Sequence, residues 1–234
     1  MRKILIIGAS ASIGNEVIKK FLLNGDSVHG TFNNNIIKTN TFDISQSKFD
    51  QTKLNINCNN SQNTFIKKIQ KFGKFDVAIF LPALLLGKSL KEYKSIEVSK
   101  VIETNFISQA SLFQKLMPLL KIKASIIFLS SISGQRGSYD PIYSASKAAQ
   151  IGFIKSIALW EGSKLRINGV APSLIDKSSM YKSMSKKRRE HHLSQSPTGK
   201  LTTKREIAKI IFDICSDDWK NVNGQIIPVN GGIL

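Results

Sequence analysis

The chain has 234 residues, 41% of them hydrophobic, with 34 Lys and Arg against 16 Asp and Glu, for a net charge of +18. That is ample apolar material for a packed core, which excludes a disordered chain. Two cysteines, Cys58 and Cys215, are too few for a disulfide scaffold, and no apolar run approaches the ~20 residues that span a bilayer.

The positive charge admits a nucleic-acid or anionic-surface partner. It is mostly Lys scattered among Asn and Ile, which favours compositional bias, so nucleic acid is not the expected partner. Met1-Arg2-Lys3 leads into Ile4–Ile7, too short for a signal-peptide core. The expectation is a cytoplasmic protein with no membrane contact.

Lys3–Ile7 reads as a first strand and Glu16–Leu23 as a helix with apolar Val17, Ile18, Phe21 and Leu22. Between them lies Gly8-Ala9-Ser10-Ala11-Ser12-Ile13-Gly14. Strand, glycine turn and helix offer a phosphate free amides, the helix dipole and close approach. Gly8, Ser10, Ser12, Ile13 and Gly14 are therefore candidates for holding a dinucleotide.

Ser27–Phe32 is a second strand. At its end, where a nucleotide-binding fold often has an acid for the ribose hydroxyls, stand Asn33-Asn34-Asn35, with Lys38 nearby. That tilts the cofactor toward NADP, with NAD kept open. Asn33–Asp50 is polar and poorly periodic. Thr52–Ile56 reads as a third strand, Thr64–Phe72 as a helix stopped at Gly73, and Asp76–Leu81 as a fourth strand. Ile96–Leu120 reads as one long helix, Ala124–Ser131 as a fifth strand, Ile142–Trp160 as a helix, and Leu165–Ala171 as a sixth strand. Ser173–Lys200 is polar, basic and weakly patterned; Thr203–Cys215 is a helix and Gln225–Val229 a last strand. The alternation predicts an α/β fold. It is a single domain over 1–234, a Rossmann-type doubly wound parallel sheet of about seven strands with helices on both faces.

Tyr143-Ser144-Ala145-Ser146-Lys147 places Tyr and Lys one helical turn apart on one face. A phenol with a pKa near ~10 exchanges protons poorly at neutrality. A nearby ammonium favours the phenolate, so a lowered Tyr143 pKa is expected. Ser131, at the end of the fifth strand, is placed to donate to a developing oxyanion.

These segments resemble the short-chain dehydrogenase/reductase family along nearly the whole chain. The matching pieces are Gly8-x-x-x-Ser12-Ile13-Gly14, Phe72-Gly73-Lys74-Phe75-Asp76, Thr104-Asn105, Ser130-Ser131 and Tyr143-x-x-x-Lys147. Arg166-Ile167-Asn168-Gly169-Val170-Ala171-Pro172 and Gly224-Gln225-Ile226-Ile227-Pro228-Val229-Asn230-Gly231-Gly232 complete the set. The resemblance implies an NAD(P)-dependent oxidoreductase acting on a carbonyl or alcohol. It makes Tyr143 the proton donor. Lys147 lowers the phenol pKa and bonds the nicotinamide ribose, Ser131 polarises the carbonyl, and Asn105 holds a water in a relay to Lys147. Pro172 and Ile175 line the nicotinamide site.

The chain departs from the family pattern on the adenosine side. Ser12 replaces a glycine, and Phe80-Leu81-Pro82-Ala83 stands where Asn-Asn-Ala-Gly is usual. Asn55, with Ile56 beside it, takes the place of an Asp. Its carbonyl can still accept from the adenine amino group, and Ala83 would pass the ribose. Asp43 reads as a surface acid.

In the family, the segment corresponding to 173–200 closes over the substrate. Here it is expected to be mobile. Its Lys177, Lys182, Lys186, Lys187, Arg188, Arg189, His191 and His192 suit an anionic substrate (a sugar nucleotide, a carboxylate or a carrier-bound 3-oxoacyl group) or simply a solvated loop. Gln135, Arg136 and Tyr139 are further pocket candidates. No metal site is expected. Family members are commonly homodimers or homotetramers. The alternative is a non-redox nucleotide sensor or nucleic-acid-binding protein on the same fold.

Overall fold

The alternation of apolar runs resolves into seven parallel strands in the order β3-β2-β1-β4-β5-β6-β7. A computed structural model describes residues 1–38 and 48–233; Asp43 lies outside them. The strands are β1 (Lys3–Ile7), β2 (Ser27–Phe32), β3 (Phe49–Lys53), β4 (Phe75–Phe80), β5 (Leu120–Leu129), β6 (Leu165–Pro172) and β7 (Ile226–Val229). The helices are α1 (Gly14–Leu23), α2 (Asn59–Ile69), α3 (Ser95–Ile102), α4 (Ser108–Leu116), α5 (Ser133–Arg136), α6 (Pro141–Glu161), α7 (Ser179–Ser183), α8 (Lys186–Ser194) and α9 (Lys204–Ile214).

Successive strand residues face opposite sides, and the core divides accordingly. Ile4 and Ile6 of β1 pack with Val17, Ile18 and Phe21 of α1 and with Ile207 and Ile211 of α9. Leu5 and Ile7 pack on the other face with Phe65 of α2, Leu112 and Phe113 of α4, and Ile154 of α6. Strands apolar on both sides need helices on both sides, as the doubly wound reading requires.

Three expectations are corrected. The third strand begins and ends earlier than Thr52–Ile56, because its pairing with β2 runs from Val28↔Phe49 to Phe32↔Lys53. It is the edge strand, so Asp50 and Lys53 can face water, and Asn55 and Ile56 fall in the following turn. The fifth strand starts at Leu120, where Leu120 pairs with Phe75 and Lys121 bonds Asp76 at 2.8 Å.

The long helix 96–120 is the third. It is split into α3, a π-helical turn at Glu103–Ile107, α4 and a 3-10 turn at Met117–Leu119 that carries Pro118. A π turn inserts one extra residue into the ladder and re-aims the side chain it carries. Here that side chain is Asn105.

Candidate active site

Strand order reverses between β1 and β4, and in a sheet of this kind the crevice beyond the carboxyl ends of the strands opens there. A cavity of about 350 Å³ lies at that place, running from Ser12 and Ile13 past Ala83 to Ser131 and Tyr143.

The turn after β1 is built from small residues for geometric reasons. Gly8 has φ of +73°, a left-handed conformation that a side chain resists. A Cβ there would also stand 2.9 Å from the Pro82 ring. A Cβ on Gly14 would run into the Ala9 carbonyl, so glycine lets α1 sit directly on the turn. Backbone bonds from Ala11 N to Gly8 O and from Gly14 N to Ala11 O, both 2.9 Å, close the loop. No side chain caps the start of α1, which leaves first-turn amides for a ligand. Ser12 needs no positive φ, so serine replaces the family glycine here without strain.

At the other end, Asp140 caps α6 by accepting from Tyr143 N at 2.9 Å, and Pro141 supplies a first-turn residue without an N–H. The cap fixes Tyr143, which is 6% exposed. Its phenol lines the cavity together with Ser131, whose own Oγ accepts from Ser133 N at 3.1 Å.

Lys147 is fully buried. Its ammonium donates to Leu129 O at 2.6 Å and makes a longer 3.5 Å contact with Gln150 Oε1, lying 5.9 Å from the centre of the Tyr143 ring. The expected lowering of the phenol is corrected here. Burial pushes Tyr143 up to about 12, with the Ser131 hydrogen bond pulling the other way and the Asp140 charge adding to the rise. Burial pushes Lys147 down to about 7. The ammonium points at a carbonyl rather than at the hydroxyl, and burial disfavours its charged form.

Asn105 is fully buried. Its Oδ1 accepts from Leu84 N at 2.7 Å. Its Nδ2 donates to Leu84 O and to Ser146 Oγ, both at 2.9 Å. The side chain thus clamps the segment after β4 to α6. Its backbone carbonyl lies 3.5 Å from Gln150 Nε2, the amide whose oxygen meets Lys147. Gln109 adds a second clamp, donating to Pro82 O at 2.9 Å. Phe80, where the family has a polar residue, stacks on Phe128 with centroids 4.4 Å apart.

Ser12, Ile13, Ala83, Ser131, Tyr143, Pro172 and Ile175 share the cavity lining. Gly8 and Gly14 shape the turn behind it. Ser10 and Asn33 are exposed. Asn55 and Ile56 lie outside the lining, and the Asn55 carbonyl is already taken by Asn57 N at 3.2 Å. That leaves its second lone pair for any further donor.

Arg136 lines the cavity, whereas Gln135 and Tyr139 do not; Tyr139 is exposed, with the Arg188 guanidinium 4.7 Å over its ring. His192, named from sequence in the basic segment, also lines it, as do Leu85, Leu174, Met180 and Met184, which the sequence did not single out. Met180 rides on α7 and His192 on α8. The signals that could have found those helices are their caps: Ser178 accepts from Tyr181 N and Ser185 from Arg188 N.

Two buried hydroxyls on the cavity, Ser12 Oγ and Ser130 Oγ, have no hydrogen-bond partner among the described residues. Buried polar atoms are rarely left so. Together with the uncapped start of α1, they fit a polar ligand such as a dinucleotide. Among the described residues no three His, Cys, Asp or Glu side chains gather as a metal site, and no helix is long and apolar enough to cross a membrane.

The sequence pattern of the family described as enoyl-(acyl carrier protein) reductase matches residues 8–234. The chain is similar to the 3-oxoacyl-(acyl-carrier-protein) reductase FabG of Salmonella typhimurium, 30% identical over 234 residues covering 98% of this chain and 96% of that protein. It is 29% identical over 241 residues to the protein of the same name from Thermotoga maritima, with 98% and 96% covered. Among solved structures it is similar to a short-chain dehydrogenase/reductase, glucose/ribitol dehydrogenase, from Brucella melitensis. That match has a TM-score of 0.90 and 25% identity, covering 100% of this chain and 96% of that one.

Proposed function

The chain belongs to the short-chain dehydrogenase/reductase family and is an NAD(P)-dependent oxidoreductase; from that premise we propose that it reduces the ketone of a 3-oxoacyl group carried on an acidic protein, with NADPH as reductant and Tyr143 as proton donor. The observation that carries this reading is the buried Tyr143 phenol sharing the cavity wall with Ser131, with the Lys147 ammonium 5.9 Å from its ring centre.

Ser12, Ile13 and the first-turn amides of α1 hold the pyrophosphate. Exposed Asn33, with Lys38 nearby in place of an acid, suits a 2′-phosphate. Pro172 and Ile175 back the nicotinamide. When bound, the cofactor supplies the hydride.

The protein's own groups do the rest. Ser131 and Tyr143 grip the ketone oxygen, and the phenol gives up its proton as negative charge develops there. Lys147, buried below, offsets the phenolate left behind and meets the ribose hydroxyls, with the Asn105 carbonyl behind it. The phenol is then reprotonated from solvent, so hydride plus proton converts ketone to alcohol.

Substrate class follows from the lining and its rim. Leu85, Ile132, Leu174, Met180 and Met184 make an apolar bed for a chain. Lys182, Lys186 and Lys187 face water on the segment above it, where an acidic carrier would dock. Residues 173–200, with α7 and α8, close over the acyl chain. Exposed Ile96 and Ile107, with Leu159 and Trp160 on α6, suit a homodimer or homotetramer, working in the cytoplasm.

The test follows NADPH and NADH oxidation with an acetoacetyl group on acyl carrier protein, the same group on coenzyme A, and a keto sugar nucleotide. The expected order of kcat/KM is carrier, then coenzyme A, with no turnover of the sugar nucleotide. Turnover of the sugar nucleotide alone would overturn the substrate assignment.

A further inference from the structure

A buried carboxylate stands at the head of the helix that carries Tyr143. Asp140 is 2% exposed, and the donors bonded to it are neutral. Its Oδ1 accepts from Tyr143 N at 2.9 Å, its Oδ2 accepts from Gly87 N at 2.8 Å, and the Tyr93 hydroxyl reaches both oxygens, at 2.8 and 2.9 Å. The Gly87 carbonyl in turn accepts from Arg188 of α8 at 3.2 Å. One side chain thus joins the start of α6, the 84–93 segment and, through Gly87, the helix that carries His192 to the cavity.

We infer that Asp140 is a positioning residue for the carbonyl–alcohol reaction: it fixes Tyr143 against the 84–93 segment and α8, and its negative charge, held by those donors, opposes ionisation of the phenol. A buried carboxylate three residues from a tyrosine makes the phenolate less favourable. The direction of the Tyr143 shift agrees.

The titratable and charged groups around the phenol are few. Asp140 and Lys147 stand on its own helix. Tyr93 reaches it through Asp140 from the 84–93 segment, and Arg136 of α5 and His192 of α8 lie across the cavity. The strand-end side of the phenol offers the uncharged Ser131. Asp140 is therefore the negative charge among them. Its presence keeps the proton on Tyr143 at neutral pH.

The inference rests on Tyr143 being the proton donor, so the closing experiment reads the phenol and not turnover. Asp140→Asn keeps a capping acceptor for the Tyr143 amide and removes the charge, whereas Tyr93→Phe keeps the charge and removes one donor. The Tyr143 phenolate is titrated by near-ultraviolet absorbance after rapid pH jumps, as the difference between each protein and its Tyr143→Phe counterpart. The expected result is a midpoint lower by about one pH unit in Asp140→Asn, and one at or above wild type in Tyr93→Phe.

If Asp140→Asn does not fold, Asp140→Ser carries the same expectation. An unmoved midpoint in a folded charge-free variant, or an equal fall in Tyr93→Phe, overturns the inference, because a purely structural role would leave the phenol where it was. Retained turnover in Tyr143→Phe would instead overturn the proton-donor role while leaving the titration shift standing.

Discussion

The two ends of the cleft are held in different ways. At the reacting end, every functional side chain is buried and tied to its own neighbourhood: Ser131 to Ser133, Tyr143 to Asp140, Lys147 to Leu129. At the nucleotide end, the turn is shaped by close backbone approach, and the walls come from distant chain, with Pro82 on Gly8 and the Asn105 and Gln109 amides bracing the segment after β4. The ties at one end join residues within 129–147, with Asp140 also reaching Gly87 and Tyr93; at the other, position depends on packing between elements far apart in sequence. Substitutions should therefore separate into those that stop chemistry in a sound fold and those that loosen the fold and the cofactor together.

The largest expected effect is at the reacting end. Lys147→Met should lower kcat by about 10²–10⁴ while cofactor still binds. The same variant tests the burial of the ammonium. Because the folded value is about 7 against an ordinary 10.5, the unfolded chain holds this proton more tightly across that window. Stability should then rise with pH between those two values in the wild type and fall as pH drops through them. Thermal melts over that range should show the slope in the wild type and a flatter profile in Lys147→Met; identical profiles would mean the lysine is not desolvated.

At the nucleotide end, Gly14→Ala sets a methyl against the Ala9 carbonyl and should destabilise the fold by about 1–3 kcal/mol. It should weaken NADPH binding in parallel, as read by melting and nicotinamide fluorescence. Asn105→Ala strands the partly buried Leu84 amide and carbonyl. About 1–3 kcal/mol of stability should go, with a fall in kcat that the melting shift accompanies. If activity fell with no change in melting, Asn105 would belong to the reacting end instead.

The smallest effect is at Ser12. Its hydroxyl is buried without a partner, so Ser12→Ala should leave the melting temperature unchanged or slightly raised. NADPH affinity should fall by roughly ten-fold or less, the worth of one hydrogen bond. An unchanged dissociation constant would show that the hydroxyl does not meet the cofactor.

How much could be read from the chain follows the same division. The i, i+4 spacing of Tyr143 and Lys147 and the apolar β5 leading into Ser131 brought three groups to one place, because helix and strand periodicity are local properties. The phosphate turn was legible for the same reason. What periodicity could not give was the break at Asn105. The apolar pattern runs through Ile96–Leu116, and the π turn carries Asn105, whose side chain meets both backbone groups of Leu84, twenty-one residues away.

The position of β3 was missed because an edge strand pairs by backbone and carries polar residues such as Asp50 and Lys53. The direction of the Tyr143 shift was missed because spacing places an ammonium near a phenol but says nothing of how deeply both are buried. Helices α7 and α8 escaped because each is short and mostly polar, declared only by Ser178 and Ser185 as caps.

The central claim is that the Tyr143 phenol delivers the proton in this cleft. It is tested most directly by single-turnover mixing of the NADPH-loaded protein with acetoacetyl-coenzyme A, wild type against Tyr143→Phe. The account predicts that both bind NADPH with similar affinity, that the wild type oxidises it, and that Tyr143→Phe holds it unreacted. Oxidation by Tyr143→Phe at the wild-type rate would contradict it.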